Sequence, residues 1–387
     1  MNVIQLDKQY VANTYARFPL QLVKGKGSLV YDEKGTAYID LATGIAVNSF
    51  GFGDKAWKKA VTKQLNKLQH TSNLYYSEPC ALLAQELCTR TGLDKVFFSN
   101  SGAEANECAI KAARKYGEVQ KGKEYYTIVT LKNSFHGRTI TTLSATGQDV
   151  FHQHFTPMTE GFVFAAANDI EEMKALVSQR KCCGIMMELV QGEGGVMALD
   201  KEYVSAVQEL AKEEDLLLII DEVQTGNGRT GSLYAFEQYG ITPDVVTTAK
   251  GLGGGLPIGA TMLGKKVAPL FTPGLNGSTF GGNPVASAGA LSILKRIDEK
   301  LLAEVKAKSE YIFSTLSTAK GVKSVTGLGL MIGIDTEKDV SEVIQGCMQR
   351  GVLVIKAKNK VRLLPALNIP QKQLEKAMQI LKEEIEK

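Results

Sequence analysis

The sequence has little of what marks a secreted, membrane-spanning or nucleic-acid-binding protein. Its densest apolar run, 216–220, is five residues long, far below the ~18 that a membrane span needs. Residues 1–8 show no basic start followed by an apolar stretch, so we expect no secretory signal. A formal charge of +4 over 387 residues is too small to indicate a nucleic-acid partner. We therefore expect a cytoplasmic protein without a membrane or nucleic-acid partner.

Cysteine and histidine are also scarce, which argues against disulfides and metal sites. The six cysteines form no CxxC pair, and Cys182 is adjacent to Cys183, a poor geometry for a shared metal or an ordinary disulfide. We expect reduced thiols. Among the four histidines only His152 and His154 are close together, and no third ligand accompanies them. The sequence therefore predicts no metal site.

Glycine is the one residue type in excess. There are 38 glycines, where average usage gives about 27. A nucleotide-binding loop would explain such an excess, but the two candidates fail. The stretch 251–256 lacks the last glycine of GxGxxG, and 259–266 carries Lys266 where a P-loop requires Ser or Thr.

The order of apolar and amphipathic segments predicts an α/β fold. Compact apolar strands alternate with helices after Trp57, which is typical of a mostly parallel sheet covered by helices on both faces. We predict strands at 28–31, 37–41, 95–99, 127–131, 184–190, 216–221, 245–248 and 260–263. We predict helices at 103–116 (ended by Gly117), 202–214 and 284 to about 318.

The same pattern predicts a large domain and a smaller α+β domain built from both chain termini. Residues 1–50 form an N-terminal arm and part of the small domain. Residues 51–285 form the large, cofactor-binding domain. Residues 286–387 supply a connecting helix and the rest of the small domain.

Two predicted strands end in residues that suit one cofactor. The strand 216–221 ends in Asp221, at the sheet edge where open α/β folds bind ligands. The strand 245–248 leads to Lys250, followed by a glycine-rich loop that leaves room for a flat molecule. A lysine for a Schiff base and a carboxylate for a pyridinium nitrogen are what pyridoxal 5'-phosphate (PLP) requires. The alternatives are a helix-capping acid and a solvated lysine.

Five motifs in order, together with Lys250, carry a family resemblance. They are Ser99-Asn-Ser-Gly-Ala-Glu-Ala-Asn-Glu107, Ser134-Phe-His-Gly-Arg-Thr139, Gln191-Gly-Glu-Gly-Gly195, Asp221-Glu-Val-Gln-Thr-Gly226 and Gly277-Ser-Thr-Phe-Gly-Gly-Asn-Pro284. From residue 13 to about 368 the chain resembles the class III, ornithine-type PLP-dependent aminotransferases of fold type I. Within them it is most similar to the acetylornithine aminotransferases. It departs from their pattern at Leu189, usually proline, and at 51–54, which lacks two usual histidines.

The resemblance implies the cofactor contacts. Lys250 would form the Schiff base and then move protons, while Asp221 would keep the ring nitrogen protonated. The phosphate would be bound at Ser101, Gly102 and Ala103, where Ser101 could instead be only a helix cap. The ring would be contacted by Phe135, Val223 and Gln224, with His136 behind it. Ser278 and Thr279 would reach the phosphate of a neighbouring subunit, which implies a homodimer with shared active sites.

The resemblance also implies the substrate contacts. Arg138 and Tyr15 would hold a substrate carboxylate, and Arg362 would alternate between Glu193 and 2-oxoglutarate. A surface salt bridge is the alternative for the Arg362–Glu193 pair. Gly44 stands where ornithine aminotransferases carry a tyrosine, so it would leave room for an acylated amine. The alternative is that Gly44 merely makes a turn.

The implied reaction is transfer of an amino group from N2-acetylornithine to 2-oxoglutarate in arginine biosynthesis. The products are N-acetylglutamate 5-semialdehyde and glutamate, formed by a ping-pong mechanism. Other donors within the same family are succinylornithine, ornithine, 4-aminobutyrate and succinyl-diaminopimelate. An isomerase similar to glutamate semialdehyde aminomutase is a further alternative. An inactive binding module is disfavoured because Lys250, Asp221 and Arg138 are all present.

Overall fold

The strands of the protein form one large sheet and several smaller ones. A computed structural model describes residues 2–387 of the chain. In chain order the strands are Leu22–Lys26 (β1), Leu29–Asp32 (β2), Ala37–Asp40 (β3), Lys95–Ser99 (β4), Thr127–Leu131 (β5), Phe162–Ala165 (β6), Cys182–Met187 (β7), Val190–Gln191 (β8), Met197–Ala198 (β9), Leu217–Asp221 (β10), Val245–Thr248 (β11), Gly259–Leu263 (β12), Val322–Leu328 (β13), Met331–Thr336 (β14), Val352–Leu353 (β15), Ile355–Ala357 (β16) and Lys360–Leu363 (β17).

Helices connect most of these strands. In chain order they are Val3–Tyr10 (α1), Thr43–Ala46 (α2), Lys55–Lys67 (α3), Glu78–Thr91 (α4), Gly102–Gln120 (α5), Ile140–Ala145 (α6), Ile170–Gln179 (α7), Lys201–Glu213 (α8), Phe236–Tyr239 (α9), Pro284–Leu294 (α10), Glu299–Leu316 (α11), Val340–Gln349 (α12) and Gln371–Glu386 (α13). Short 3₁₀ turns occur at Asp149–Phe151, Lys250–Leu252 and Ala268–Leu270.

The large sheet has the strand order β4-β12-β11-β10-β7-β5-β6. From β11 to β6 every pairing is parallel, whereas β12 runs antiparallel to both of its neighbours. The strands β7, β10, β11 and β12 are buried along their whole length, as expected for a sheet covered on both faces. The predicted α/β fold with a mostly parallel sheet is confirmed.

Parallel pairing brings Asp221 and Lys250 to the same edge of the large sheet. Asp221 is the last residue of β10, and it lies opposite Thr247 of the adjacent strand β11. Lys250 follows the end of β11 by two residues. The carboxyl ends of neighbouring parallel strands share one sheet edge, so the acid and the lysine approach each other there.

Strands from both ends of the chain share one of the smaller sheets. In the sheet β1-β2-β3-β15, Val352 and Leu353 pair in parallel with Ile39 and Asp40. The sheet β13-β14-β17-β16 lies wholly in the C-terminal part of the chain, and β17 carries Arg362. The limits 1–50, 51–285 and 286–387 stay a prediction.

The predicted end of the helix after Ser101 at Gly117 is wrong. α5 continues to Gln120, and Gly117 is buried inside it. A Cβ atom at Gly117 would lie 2.1 Å from the carbonyl oxygen of Tyr125. Glycine is present there because another backbone approaches closely, which a search for helix-ending glycines misreads.

Two further boundaries differ from the prediction. The single helix expected at 284–318 is two helices, α10 and α11, and the second begins where Asp298 Oδ1 accepts a hydrogen bond from the Leu301 amide at 2.9 Å. The strand expected at 184–190 ends at Met187, after which β8 pairs with β9 in a sheet of its own. The strand β6 was not predicted from the sequence.

Candidate active site

A cavity of about 470 Å³ lies at the carboxyl edge of the large sheet. Most of the residues predicted to bind the cofactor line it. They are Ser101, Gly102, Ala103, Phe135, His136, Asp221, Val223, Gln224 and Lys250, joined by the predicted substrate ligand Arg138. Tertiary structure thus brings together residues that are up to 149 positions apart in the sequence, from 101 to 250.

Asp221 is buried and held by three hydrogen bonds. Its Oδ2 accepts from Asn106 Nδ2 at 2.7 Å and lies 2.8 Å from His136 Nδ1, while its Oδ1 accepts from the Val223 amide at 3.0 Å. Burial lowers the pKa of His136, but the hydrogen bond with Asp221 and the charges of Asp221 and Glu188 raise it on balance. The carboxylate therefore has a fixed orientation at the floor of the cavity.

Lys250 has a strained backbone and a partly buried side chain. Its φ of +44° lies in the left-handed region, which a non-glycine residue adopts only when its surroundings impose it. Burial lowers the pKa of its ammonium group, although Glu193 and Asp221 act in the opposite direction. A lowered pKa increases the fraction of neutral amine, the form that acts as a nucleophile.

The N-terminus of α5 opens onto the same cavity. Ser101 is its N-cap, and its Oγ accepts a hydrogen bond from the Glu104 amide at 3.2 Å. Gly102 is required by close packing, because a Cβ atom there would lie 2.6 Å from a methyl carbon of Val223. Free amide groups at a helix start attract anions, and capping by Ser101 is compatible with that role.

Phe135 and Arg138 form a stacked group beside the cavity. The Arg138 guanidinium lies 5.4 Å from the ring centroid of Phe135 and 4.0 Å from that of Phe151. The Phe135 amide donates to Glu188 Oε2 at 2.9 Å. Burial raises the pKa of Glu188 to about 7, despite the opposing charge of His136.

Arg362 and Glu193 form the ion pair expected from the sequence. Arg362 Nη1 lies 2.6 Å from Glu193 Oε1, and the arginine side chain is only 3% exposed. The same nitrogen lies 3.4 Å from Oε1 of Gln224, a residue that lines the cavity. Since the guanidinium is buried, the alternative of a surface salt bridge does not apply.

Six predicted site residues do not line the cavity of the single chain: the paired Glu193 and Arg362, and also Tyr15, Gly44, Ser278 and Thr279. Tyr15 lies in the N-terminal arm, 70% exposed, and its ring is 5.4 Å from the Arg17 guanidinium. Ser278 Oγ accepts from Asn100 Nδ2 at 3.2 Å outside the cavity lining, and Thr279 follows it. Gly44 lies three residues before Val47, which does line the cavity.

Known proteins resemble this chain in sequence over nearly its whole length. The family pattern of aminotransferase class-III matches residues 10–385. An acetylornithine aminotransferase from Haemophilus ducreyi is 51% identical over 97% of this chain and 96% of its own. The chain belongs to the class-III aminotransferases.

Solved structures of class-III enzymes superpose closely on this aminotransferase. An N-acetylornithine aminotransferase from Stenotrophomonas maltophilia has a TM-score of 0.86 at 34% identity, covering 99% of this chain and 98% of that one. An ornithine aminotransferase from Toxoplasma gondii has a TM-score of 0.95 at 29% identity, covering 99% and 94%. Members of the family depend on PLP, and so does this enzyme.

The residues of this aminotransferase fit that cofactor. The cavity joins a buried carboxylate, a partly buried lysine and a helix start, which match a ring nitrogen, an aldehyde and a phosphate. Among residues 2–387, the buried His136 Nε2 has no hydrogen-bond partner, so the site retains polar capacity for a ligand. Sequence reasoning missed Asn106 and Glu188 as partners in this site. Asn106 belongs to the first recognised motif and Glu188 lies three residues before the third, but only their contacts with Asp221 and Phe135 show what they do.

Among residues 2–387, no helix is both long enough and apolar enough to cross a bilayer. Nor does any group of three or more His, Cys, Asp or Glu side chains in that range have the arrangement of a metal site.

Proposed function

We propose that this aminotransferase transfers the amino group of N-acetylornithine to 2-oxoglutarate, giving N-acetylglutamate 5-semialdehyde and glutamate. The observation that carries the proposal is the 51% identity, over almost the full length, to an acetylornithine aminotransferase. The reaction belongs to arginine biosynthesis. We also propose a cytoplasmic location, based on the composition of the sequence.

The residues at the sheet edge have separate tasks in this proposal. When bound, PLP supplies an electron sink for the carbon that loses a proton. Asp221, fixed by Asn106 and His136, holds a proton on the ring nitrogen. The amine of Lys250 binds the cofactor covalently and then moves a proton to and from the substrate carbon. Ser101, Gly102 and Ala103 bind the phosphate, and Phe135, Val223 and Gln224 position the ring.

Two dissimilar substrates must use the same site in turn. Arg138 binds a carboxylate of either substrate, held in place between the rings of Phe135 and Phe151. Arg362 is neutralised by Glu193 at 2.6 Å, which suits the acylated amine. When 2-oxoglutarate enters, its second carboxylate displaces Glu193 and pairs with the guanidinium. Tyr15 joins Arg138 in the assembled enzyme.

Ornithine is the second candidate donor, favoured by the TM-score of 0.95 to an ornithine aminotransferase. Gly44 argues for the acylated amine. A Cβ atom there would have its nearest neighbour, Asn48 Nδ2, at 3.5 Å, which is ordinary van der Waals contact, so no neighbouring atom forces glycine at this position by a clash. The backbone is a second reason for glycine at this position, because Gly44 has a φ of +65°, which side chains other than glycine rarely adopt.

A panel of donors tests the proposal directly. The purified enzyme is assayed with 2-oxoglutarate and, separately, N-acetylornithine, succinylornithine, ornithine, 4-aminobutyrate and succinyl-diaminopimelate. We expect the highest kcat/KM for N-acetylornithine. A higher value for 4-aminobutyrate or ornithine would refute the proposed donor. Turnover of a single amino ketone without any acceptor would instead indicate an aminomutase.

We further propose that the active enzyme is a homodimer with shared sites. Ser278 and Thr279 lie outside the cavity of their own chain. Nearby, Leu74, Tyr75, Tyr76 and Phe280 are exposed by 88%, 72%, 107% and 59%. Exposed apolar side chains on this scale are typical of an interface. Thr279 would then contact the phosphate in the partner's cavity.

Mixing two inactive variants tests the shared site. The hybrid dimer contains one Lys250→Ala chain and one Thr279→Ala chain. If Thr279 acts across the interface, the site with an intact Lys250 receives an intact Thr279 from the other chain, so one of the two sites is complete. Random pairing after unfolding and refolding then restores about a quarter of the wild-type activity. If Thr279 acts within its own chain, no hybrid site is intact and the mixture gains nothing over its parents.

A further inference from the structure

The loop that begins at Lys250 contains one residue with a strained backbone, Lys250 itself, followed by two glycines that adopt a positive φ without strain. Lys250 has a φ of +44°, and Gly254 and Gly255 have φ values of +58° and +125°. Gly255 and Leu256 line the cavity, so the shape of this loop is part of the site. Strained backbone of this kind persists only where surrounding contacts impose it.

The only tryptophan in the sequence, Trp57, contacts this loop directly. Its indole Nε1 donates to the carbonyl oxygen of Gly253 at 3.0 Å, and the Gly253 amide in turn donates to the carbonyl oxygen of Lys250 at 3.0 Å. The indole is fitted between two glycines. A Cβ atom at Gly254 or at Gly289 would lie 3.1 Å or 2.9 Å from Nε1.

Trp57 is itself held rigidly at the start of α3. Asp54 Oδ1 caps the helix by accepting from the Trp57 amide at 2.8 Å, and the same carboxylate pairs with Arg296 Nη2 at 2.8 Å. The Arg296 guanidinium lies 4.1 Å from the ring centroid of Phe50. Asp54 and Arg296 thus hold the first turn of α3, which carries Trp57.

We propose that Trp57 is a positioning residue that fixes the Lys250 loop in its strained form and thereby sets cofactor retention. Through Gly253 it restrains the peptide that follows Lys250, and through Gly254 and Gly255 it shapes one wall of the cavity. The inference rests on the proposed role of Lys250 but not on the identity of the amine donor.

Trp57→Phe tests the proposal because it keeps an aromatic ring and removes the N–H donor. Val61→Ala is the matched control. Val61 lies on the same helix and also packs against Gly289, where a Cβ atom would be 3.1 Å from its methyl carbon, but it does not contact the loop. For wild type and both variants we measure cofactor loss during dialysis, the pH at which the visible absorbance of the bound cofactor changes, and the thermal unfolding midpoint.

In Trp57→Phe we expect about fivefold faster cofactor loss, corresponding to one hydrogen bond, and a displaced pH midpoint. Val61→Ala should lower the unfolding midpoint while leaving both cofactor properties unchanged. Equal cofactor retention and equal pH midpoints in the two variants would show that Trp57 serves packing only and would overturn the proposal.

A second measurement needs no variant. Since Trp57 is the single tryptophan, its emission reports this contact in the wild-type enzyme. Coupling between two sites is reciprocal, so removal of the cofactor should shift the wavelength of maximum emission as the loop relaxes. An unchanged maximum would likewise contradict the proposal, whatever donor the enzyme prefers.

Discussion

Asp221 and His136 share a buried hydrogen bond of 2.8 Å beneath the cavity. The ring of His136 is fully enclosed, and its pKa is raised on balance because the contact with Asp221 outweighs burial. The pair therefore keeps a negative carboxylate beside a histidine that favours its charged form. Such a carboxylate stabilises positive charge on the cavity side of the pair.

Replacing Asp221 with Asn should remove that stabilisation. Proton loss from the substrate carbon depends on a protonated ring nitrogen, so we expect kcat to fall by about a thousandfold. Asn106→Ser is the comparison, because it keeps the Asp221 carboxylate and removes the hydrogen bond at 2.7 Å that orients it, together with the Asn106 contacts to the His136 carbonyl oxygen and the Thr247 hydroxyl. In the Asn106→Ser variant kcat should fall by about tenfold. Steady-state rates for both variants check this, and comparable losses would contradict the distinction.

Replacing Lys250 with Ala should abolish turnover and covalent capture of the cofactor. Borohydride reduction followed by peptide mass analysis should place the cofactor on Lys250 in the wild-type enzyme and on no residue of the variant. The neighbouring Lys265, outside the cavity lining, gives a control variant, Lys265→Ala. A Lys250→Ala enzyme that still turned over would refute the assigned role.

Gly44→Tyr should impair turnover of N-acetylornithine more than turnover of ornithine, because in the proposed function the absence of a side chain at residue 44 leaves room for the acyl group. The positive φ at this position strains any side chain, so Gly44→Ala serves as the control for backbone strain alone. We expect the ratio of kcat/KM values for the two donors to change by about tenfold in the tyrosine variant. In the alanine variant the ratio should stay constant. Equal losses of kcat/KM for both donors in Gly44→Tyr would show that Gly44 serves only to form the turn.

Glu193→Ala should leave Arg362 permanently unpaired. The free guanidinium favours substrates with a second carboxylate, so KM for N-acetylornithine should rise by about tenfold while KM for 2-oxoglutarate falls or stays the same. Glu193→Asp retains the negative charge, so its KM values should lie between those of the wild-type enzyme and those of Glu193→Ala. Separate kinetics of each half-reaction check this, and a parallel rise of both KM values would contradict a switching role.

Glu188 should make stability depend on pH. Its pKa is raised to about 7 in the folded protein by burial, so between about pH 4.5 and 7 the folded state binds more protons than the unfolded state. Stability therefore decreases as pH rises through this range. Glu188→Gln removes this contribution, so its free energy of unfolding relative to wild type should improve from about pH 5.5 to about pH 8. Urea unfolding of both proteins at both pH values checks this prediction. The same difference in the free energy of unfolding at the two pH values would contradict it.

Local sequence patterns were sufficient for much of the fold. The strands at Lys95–Ser99, Thr127–Leu131 and Val245–Thr248 agree with the prediction at both ends, because a buried parallel strand requires a continuous apolar run with clear limits. The ends of two predicted strands likewise pointed to Asp221 and Lys250, which the structure places at one edge of the sheet. By contrast, Gly117 and the division between α10 and α11 depend on which segments approach each other, which no local pattern records.

The sequence by itself determined the α/β class, the family and the identity of most residues around the cavity, since strand periodicity and short motifs are local properties of the chain. Only the tertiary structure decided that Arg362 and Glu193 form a buried pair, 169 positions apart in the chain. It alone decided that Asn106 and Glu188 support Asp221 and Phe135, and that Trp57 holds the loop after Lys250. The physical reason is that burial and hydrogen bonding between distant segments arise only when those segments pack against each other.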